Sequence, residues 1–91
     1  MYRKVKKMKN NVSVEEILSI INSILEDEVL TVSDVNKELK DIGLDSIKFV
    51  LLIVELENKY QIEIPDEYML YSKMSTISEV QKIVNELVNN I

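Results

Sequence analysis

The residues best placed to do chemistry lie in one run, Asp41-Ile42-Gly43-Leu44-Asp45-Ser46-Ile47. Ser46 offers a hydroxyl, Asp41 and Asp45 offer carboxylates, and Gly43 frees the backbone just ahead of a stretch that reads as helix. Asp45 is suited to cap that helix. Ser46 then falls at its start, where unpaired amide N–H groups and the positive end of the helix dipole favour an anion. A phosphodiester on Ser46 would be stabilised there, as phosphates are at other helix N-termini. The plainer alternative is that Asp45 or Ser46 only caps the helix, and an Asp-Ser pair by itself does not decide between the two.

What the chain lacks narrows the chemistry. It has no cysteine and no histidine, so it has no thiolate and no disulfide, and lacks both the usual general base near neutral pH and the commonest metal ligand. A serine nucleophile would be without its usual activating partner. The 16 acidic residues among 91 are dense enough to cluster by chance, and neither metal-ligand spacing nor a glycine-rich phosphate loop is present. A self-sufficient enzyme using Ser46 or a carboxylate pair is therefore disfavoured, and any reaction at Ser46 must be carried out by another protein.

The elements that hold Ser46 follow from apolar periodicity. A single glycine and a single proline, Gly43 and Pro65, leave few breaks, so the chain reads as mostly helical. Ser13 and Glu16 form a capping-box pattern ahead of Ile17, Ile20, Ile21, Ile24 and Leu25, which share one helical face. Glu26–Asp27–Glu28 is unfavourable at a helix C-terminus and marks the end of that helix. From Val29 to Gly43 the pattern is irregular, with Leu30, Val32, Val35, Leu39 and Ile42 available to pin a long loop to the core. Connections of this length in small domains are often functional. A second helix runs from Asp45 or Ser46 to about Tyr60, and a short third opens around Pro65 and ends near Ser72. Tyr68, Met69 and Tyr71 on it would fill the core or shelter a ligand against the second helix. The last helix starts at a second capping pattern, Thr76 and Glu79, and carries the stripe Ile77, Val80, Ile83, Val84, Leu87, Val88, Ile91. Ile62 and Ile64 alternate with polar neighbours but have nothing to pair with, so they read as an extended linker. The expected fold is an all-α bundle of three long helices and one short one.

The second helix is apolar on two sides. At roughly 100° per residue, Phe49, Leu52, Ile53, Leu56 and Tyr60 gather on a core face. Ile47, Leu51 and Val54 fall elsewhere at i, i+4, i+7 spacing. In a thin bundle this second strip is either covered by the 29–43 loop or exposed beside Ser46 as a partner surface.

Composition sets the remaining bounds. A length of 91 residues, with 46% hydrophobic and 30% charged, suits one small globular domain. We divide it into a basic N-terminal tail, 1–10, and a domain spanning 11–91. Arg3, Lys4, Lys6, Lys7 and Lys9 lie in the tail, leaving six basic residues against all 16 acidic ones after it. An acidic body argues against nucleic acid and for partners with basic faces; the tail is either a contact for RNA or an anionic membrane, or simply solvated. The longest apolar run, Phe49–Val54, is far short of the roughly 20 residues that cross a bilayer. No secretory signal is evident, and the expected compartment is the cytoplasm.

From Val14 to Val88 the sequence resembles the acyl and peptidyl carrier protein family, the phosphopantetheine-attachment domains. The resemblance rests on Asp41-x-Gly43-x-Asp45-Ser46-Ile47, the apolar run to Glu55-Leu56-Glu57, Ile62-x-Ile64-Pro65, and Thr76-Ile77-x-Glu79-Val80. It implies an acyl-carrier-like four-helix bundle with a long loop between its first two helices. It also implies a 4′-phosphopantetheine arm on Ser46, taken from coenzyme A by a phosphopantetheinyl transferase, with Gly43 and Asp45 as motif neighbours. The arm's thiol would hold acyl or aminoacyl cargo as a thioester, so that the chain is a carrier and not an enzyme. Ile47, Lys48, Leu51, Val54 and Glu55, with Asp41 on the loop, match the face read by partners. Those would be an acyl- or aminoacyl-loading enzyme and downstream synthase, transferase or thioesterase domains, visited by a monomeric carrier. In fatty-acid-type carriers that face is rich in acids; Lys48 and Leu51 depart from this and point toward a peptidyl-type or specialised biosynthetic carrier. The competing expectation is an unmodified helical adaptor that binds through the Ile47/Leu51/Val54 strip.

Overall fold

A computed structural model of the protein describes residues 11–26, 29–68 and 73–90; the basic tail lies outside them. Helix α1 spans Val14–Leu25, α2 spans Ser46–Tyr60 and α3 spans Ile77–Asn89, with no strand among the described residues. The all-helical architecture agrees with the sequence reading.

Each long helix starts where a polar side chain replaces missing backbone acceptors. Ser13 Oγ accepts the Glu16 amide at 3.2 Å, and Thr76 Oγ1 accepts the Glu79 amide at 3.1 Å. The other half of the first capping pattern is redirected. The Glu16 carboxylate accepts the Tyr60 hydroxyl at 2.7 Å, tying the start of α1 to the end of α2. At its other end α1 finishes beside Gly43, whose Cα direction faces Leu25. The two helices are thus antiparallel, and α1 packs against both α2 and α3.

The core is built from the expected stripes. Ile17, Leu18, Ile21 and Leu25 of α1 are buried, as are Phe49, Leu52, Ile53 and Leu56 of α2 and Ile77, Val80, Ile83 and Val84 of α3. Tyr60, Leu87 and Val88 pack partly against them. Val12 is buried too, and α3 grips its backbone: Asn85 Oδ1 accepts its N–H at 2.8 Å and Gln81 Nε2 donates to its carbonyl at 2.6 Å.

The loop from α1 to α2 is stitched down along its length. Asn22 of α1 holds Leu30 from both sides, accepting its N–H at 2.8 Å and donating to its carbonyl at 3.1 Å. Two short 3₁₀ turns follow, Val32–Asp34 and Leu39–Ile42. Asp34 accepts the Thr31 amide and pairs with Lys37 at 2.8 Å. The Lys37 contact first, and then the Thr31 amide, hold its carboxyl below the usual carboxylate range. Farther along, Leu39 N–H donates to Ser75 O at 2.8 Å and Ser78 N–H to Val35 O at 3.0 Å. These bonds fasten the loop to the start of α3. Leu30, Leu39 and Ile42 are buried and Val35 packs on the core, as the sequence suggests. Val32 differs, being 55% exposed, because the Thr31–Asp34 box opens a turn there that buries none of its residues.

After α2 the chain reverses through Gln61, which adopts the left-handed region. Glu57 Oε2 accepts the Ile64 N–H at 2.9 Å, and Ile64 is buried. Ile62–Pro65 is therefore an extended linker pinned to α2, as expected. Asp66–Tyr68 forms one 3₁₀ turn where the short helix was expected to open; Met69, Tyr71 and Ser72 lie outside the described residues.

Candidate functional site

The start of α2 is set by two backbone decisions. Gly43 ends the second 3₁₀ turn in the left-handed region, with φ of 97°, a conformation that L side chains rarely adopt. Leu44 then drops into the core, fully buried, and anchors the segment one residue before the cap. Asp45 is extended, and its Oδ1 accepts the Lys48 amide at 2.9 Å, while its carbonyl accepts the Phe49 amide at 2.8 Å. Asp45 is therefore the N-cap, and Ser46 is the first residue of the helix.

This assignment selects Asp45 over Ser46 as the cap. Ser46 has no capping duty. Its side chain is exposed and makes no hydrogen bond among the described residues. The amides of Ser46 and Ile47 likewise find no acceptor among the described residues, the usual condition of a helix's first turn. A free hydroxyl thus stands beside two unsatisfied donors at the positive end of a 15-residue helix. That arrangement suits an esterified phosphate, which needs an accessible oxygen to hang from and N–H groups to face.

The remaining residues singled out in the sequence fall around this point in two groups. Ile47, Leu51, Val54 and Glu55 are exposed along α2, Lys48 is half-buried, and Asp41 is exposed on the preceding turn. Val50, 59% exposed, joins Ile47, Leu51 and Val54 and was missed by the sequence reading. It lies three residues after Ile47 and four before Val54, so the same helical spacing should have included it. The loop does not cover the strip: these four and two loop valines, Val29 and Val32, are the large apolar side chains left exposed among the described residues.

A cleft of about 820 Å³ opens in the loop, lined by Val29, Leu30, Asp34, Lys37, Asp41, Ile42 and neighbours. It reaches the turn before Gly43 but does not include Ser46. A covalently attached group needs no pocket at its point of attachment, so the mismatch carries no weight against Ser46. No cluster of metal-ligating residues occurs among the described residues, and none of their helices is long and apolar enough to cross a membrane.

Comparison with known proteins decides the family. The model described as "phosphopantetheine attachment site" matches residues 15–83, the segment that runs from the first turn of α1 through all of α2 and into α3. The chain belongs to this family. Phosphopantetheine is accordingly its prosthetic group, and its role is that of a carrier for biosynthesis. The chain is similar to an acyl carrier protein of Helicobacter pylori, with 35% identity over 72 residues covering 79% of this chain and 90% of the relative. It is similar also to an acyl carrier protein of Chloroherpeton thalassium, 42% identical over 57 residues, or 63% of this chain and 65% of the relative. A third, from Wolinella succinogenes, is 38% identical over 53 residues, 58% of this chain and 67% of the relative. No solved structure matches. The chain has no cysteine, so the reactive sulfur of this carrier comes with the prosthetic group.

Proposed function

We propose that Ser46 is the attachment point of the 4′-phosphopantetheine arm and that the chain carries acyl groups on it without catalytic activity of its own. The observation that carries this reading is the free Ser46 hydroxyl at the first position of α2, released from capping by Asp45. In the attachment step the Ser46 oxygen replaces the nucleotide portion of coenzyme A on phosphorus. The hydroxyl proton passes to the phosphopantetheinyl transferase, since the chain has no histidine to take it. Gly43 and Asp45 act by position, the first by ending the preceding turn and the second by fixing the helix start. When bound, the arm supplies a thiol that holds cargo as a thioester, and its tether raises the local concentration of that cargo at each docked enzyme.

Lys48 and Leu51 favour a peptidyl-type or specialised biosynthetic carrier. The named relatives are acyl carrier proteins, which supports acyl cargo, with loading enzymes and downstream synthase, transferase or thioesterase domains as partners in the cytoplasm. The test is to incubate the chain with coenzyme A and a phosphopantetheinyl transferase and then map the adduct by tandem mass spectrometry. The reading requires the arm on the peptide containing Ser46; an adduct on Ser33, Ser75 or Ser78 instead would refute it.

A further inference from the structure

The cleft of about 820 Å³ in the loop between α1 and α2 falls within the roughly 300–1,000 Å³ of small-molecule sites. Buried Leu30 and Ile42 give it an apolar floor, and exposed Val29 stands on its rim. Its polar lining is of two kinds. Asp34 and Lys37 are paired with each other at 2.8 Å. The exposed side chains of Asn36 and Asp41, by contrast, make no hydrogen bond or ion pair among the described residues. The bonds from Asn22 to Leu30, from Leu39 to Ser75 and from Ser78 to Val35 hold the walls in place, so the cleft is preformed.

Charge decides what can enter. Asp34, Glu38 and Asp41 face Lys37 in the lining, three carboxylates to one ammonium. A nucleotide, a free phosphate or an acidic peptide is repelled there. A neutral chain that alternates apolar carbons with amide and hydroxyl groups fits. Its carbons cover Val29, Leu30 and Ile42, its N–H groups donate to the Asp41 carboxylate, and its carbonyls accept from the Asn36 amide. The pantetheine part of the prosthetic group is such a chain, with a gem-dimethyl group, a hydroxyl and amides in series. Its charge is confined to the phosphate, which stays at Ser46.

Position agrees with chemistry. Asp41 and Ile42 are the lining residues nearest Ser46 along the chain, and the segment between folds back on itself. Leu44 N–H donates to Leu39 O at 3.1 Å and Asp45 N–H to Gly43 O at 3.2 Å. Ile42 and Ser46 are therefore closer than the roughly 14 Å that an extended chain would put between them. From phosphorus to sulfur the arm spans about 15 Å, at the roughly 1.2 Å per bond of an extended chain, which is enough to lay its amides in the cleft. The strip of α2 offers less, because none of Ile47, Val50, Leu51 and Val54 can pair with an amide through its side chain.

We infer that the undocked phosphopantetheine arm rests in the α1–α2 loop cleft, with Asn36 and Asp41 paired to its amides and Val29, Leu30 and Ile42 covering its carbons. This rests on the reading of Ser46 as the attachment point and adds a resting site for the arm. Tethering puts the arm's effective concentration in the millimolar range, so a cleft of about 1 mM affinity is filled about half the time. The arm is thus held off solvent between visits and still leaves readily when an enzyme docks.

The experiment reads amide and methyl NMR spectra in two arms. In the first, the isotopically labelled parent chain is compared before and after loading with coenzyme A and a phosphopantetheinyl transferase, with loading confirmed by mass. In the second, labelled Ser46→Ala is titrated with free pantetheine to about 10 mM, some tenfold above the affinity expected of the cleft. Loading should shift the amides of Leu30, Asn36 and Asp41, and cross-relaxation should join the arm's methyl groups to those of Val29 and Ile42. Free pantetheine should shift the same loop amides with a midpoint of about 1 mM. Asn36→Ala should weaken that binding about fivefold, the net worth of one hydrogen bond, and Val29→Glu, at an exposed position that leaves folding intact, should weaken it too. Shifts confined to the turn around Ser46, shifts running instead along Val50–Val54, or a loop that ignores free pantetheine would each overturn the inference. A parent chain that gains no arm counts against the Ser46 reading, and the titration of Ser46→Ala still decides the cleft.

Discussion

Asp45 accepts the Lys48 amide at 2.9 Å, and this one bond determines what Ser46 is free to do. Because the cap falls on Asp45, the serine hydroxyl is left without an intramolecular partner among the described residues and faces solvent. Had the helix begun one residue later, Ser46 would itself be the cap and its oxygen would be occupied.

Removing the cap should therefore cost stability before it costs chemistry. Asp45→Ala is expected to destabilise the domain by about 1 kcal/mol, seen as a Tm lower by roughly 4–8 °C in a domain of this size. Asp45→Asn, which keeps the acceptor oxygen, should recover most of the loss. Thermal melts followed by circular dichroism read both.

Gly43 gives a prediction in which strain and crowding separate. A methyl group there would meet Leu25 Cδ2 at 3.7 Å, ordinary contact, while the φ of 97° is unfavourable for any L side chain. Gly43→Ala should then cost about 1–2 kcal/mol from backbone strain alone. Shortening the neighbour, as in Leu25→Ala combined with Gly43→Ala, should not relieve it. Denaturant melts of the single and double variants would reveal a rescue if crowding were the cause.

The Tyr60–Glu16 bond at 2.7 Å predicts a pH signature. Burial, and then the Glu16 carboxylate, push the Tyr60 hydroxyl above its ordinary pKa. The folded state therefore holds this proton more tightly than the unfolded chain does. Its stabilising effect is complete below about pH 10, the unfolded value, and declines as pH rises beyond it. Tyr60→Phe should lose about 1 kcal/mol near neutral pH. The gap between parent and variant should narrow above about pH 10; chemical denaturation across that range measures it.

Periodicity made much of this legible in advance. The core stripes of all three helices, the caps at Ser13 and Thr76, and the placement of Ser46 at the start of α2 all follow from local spacing. What spacing does not encode is polar pairing at long range. Asn22 clamping Leu30, Glu57 holding the Ile64 amide and Glu16 turning from its own helix to Tyr60 each depend on which segments the fold brings together. Val32 departs for a local reason, because the Thr31–Asp34 box opens a turn that overrides its hydrophobicity. Val50 is a different case, since its position on the strip follows from the spacing that picked out its neighbours.

The most direct test of the central claim is an intact-mass measurement. The parent chain and Ser46→Ala are each incubated with coenzyme A and a phosphopantetheinyl transferase beside a control carrier, and circular dichroism confirms that both fold. The parent should gain one phosphopantetheinyl group while Ser46→Ala gains none and melts within about 0.5 kcal/mol of the parent, as an exposed substitution does. A Ser46→Ala chain that still gains the arm, or a parent chain that gains none while the control does, would contradict the account.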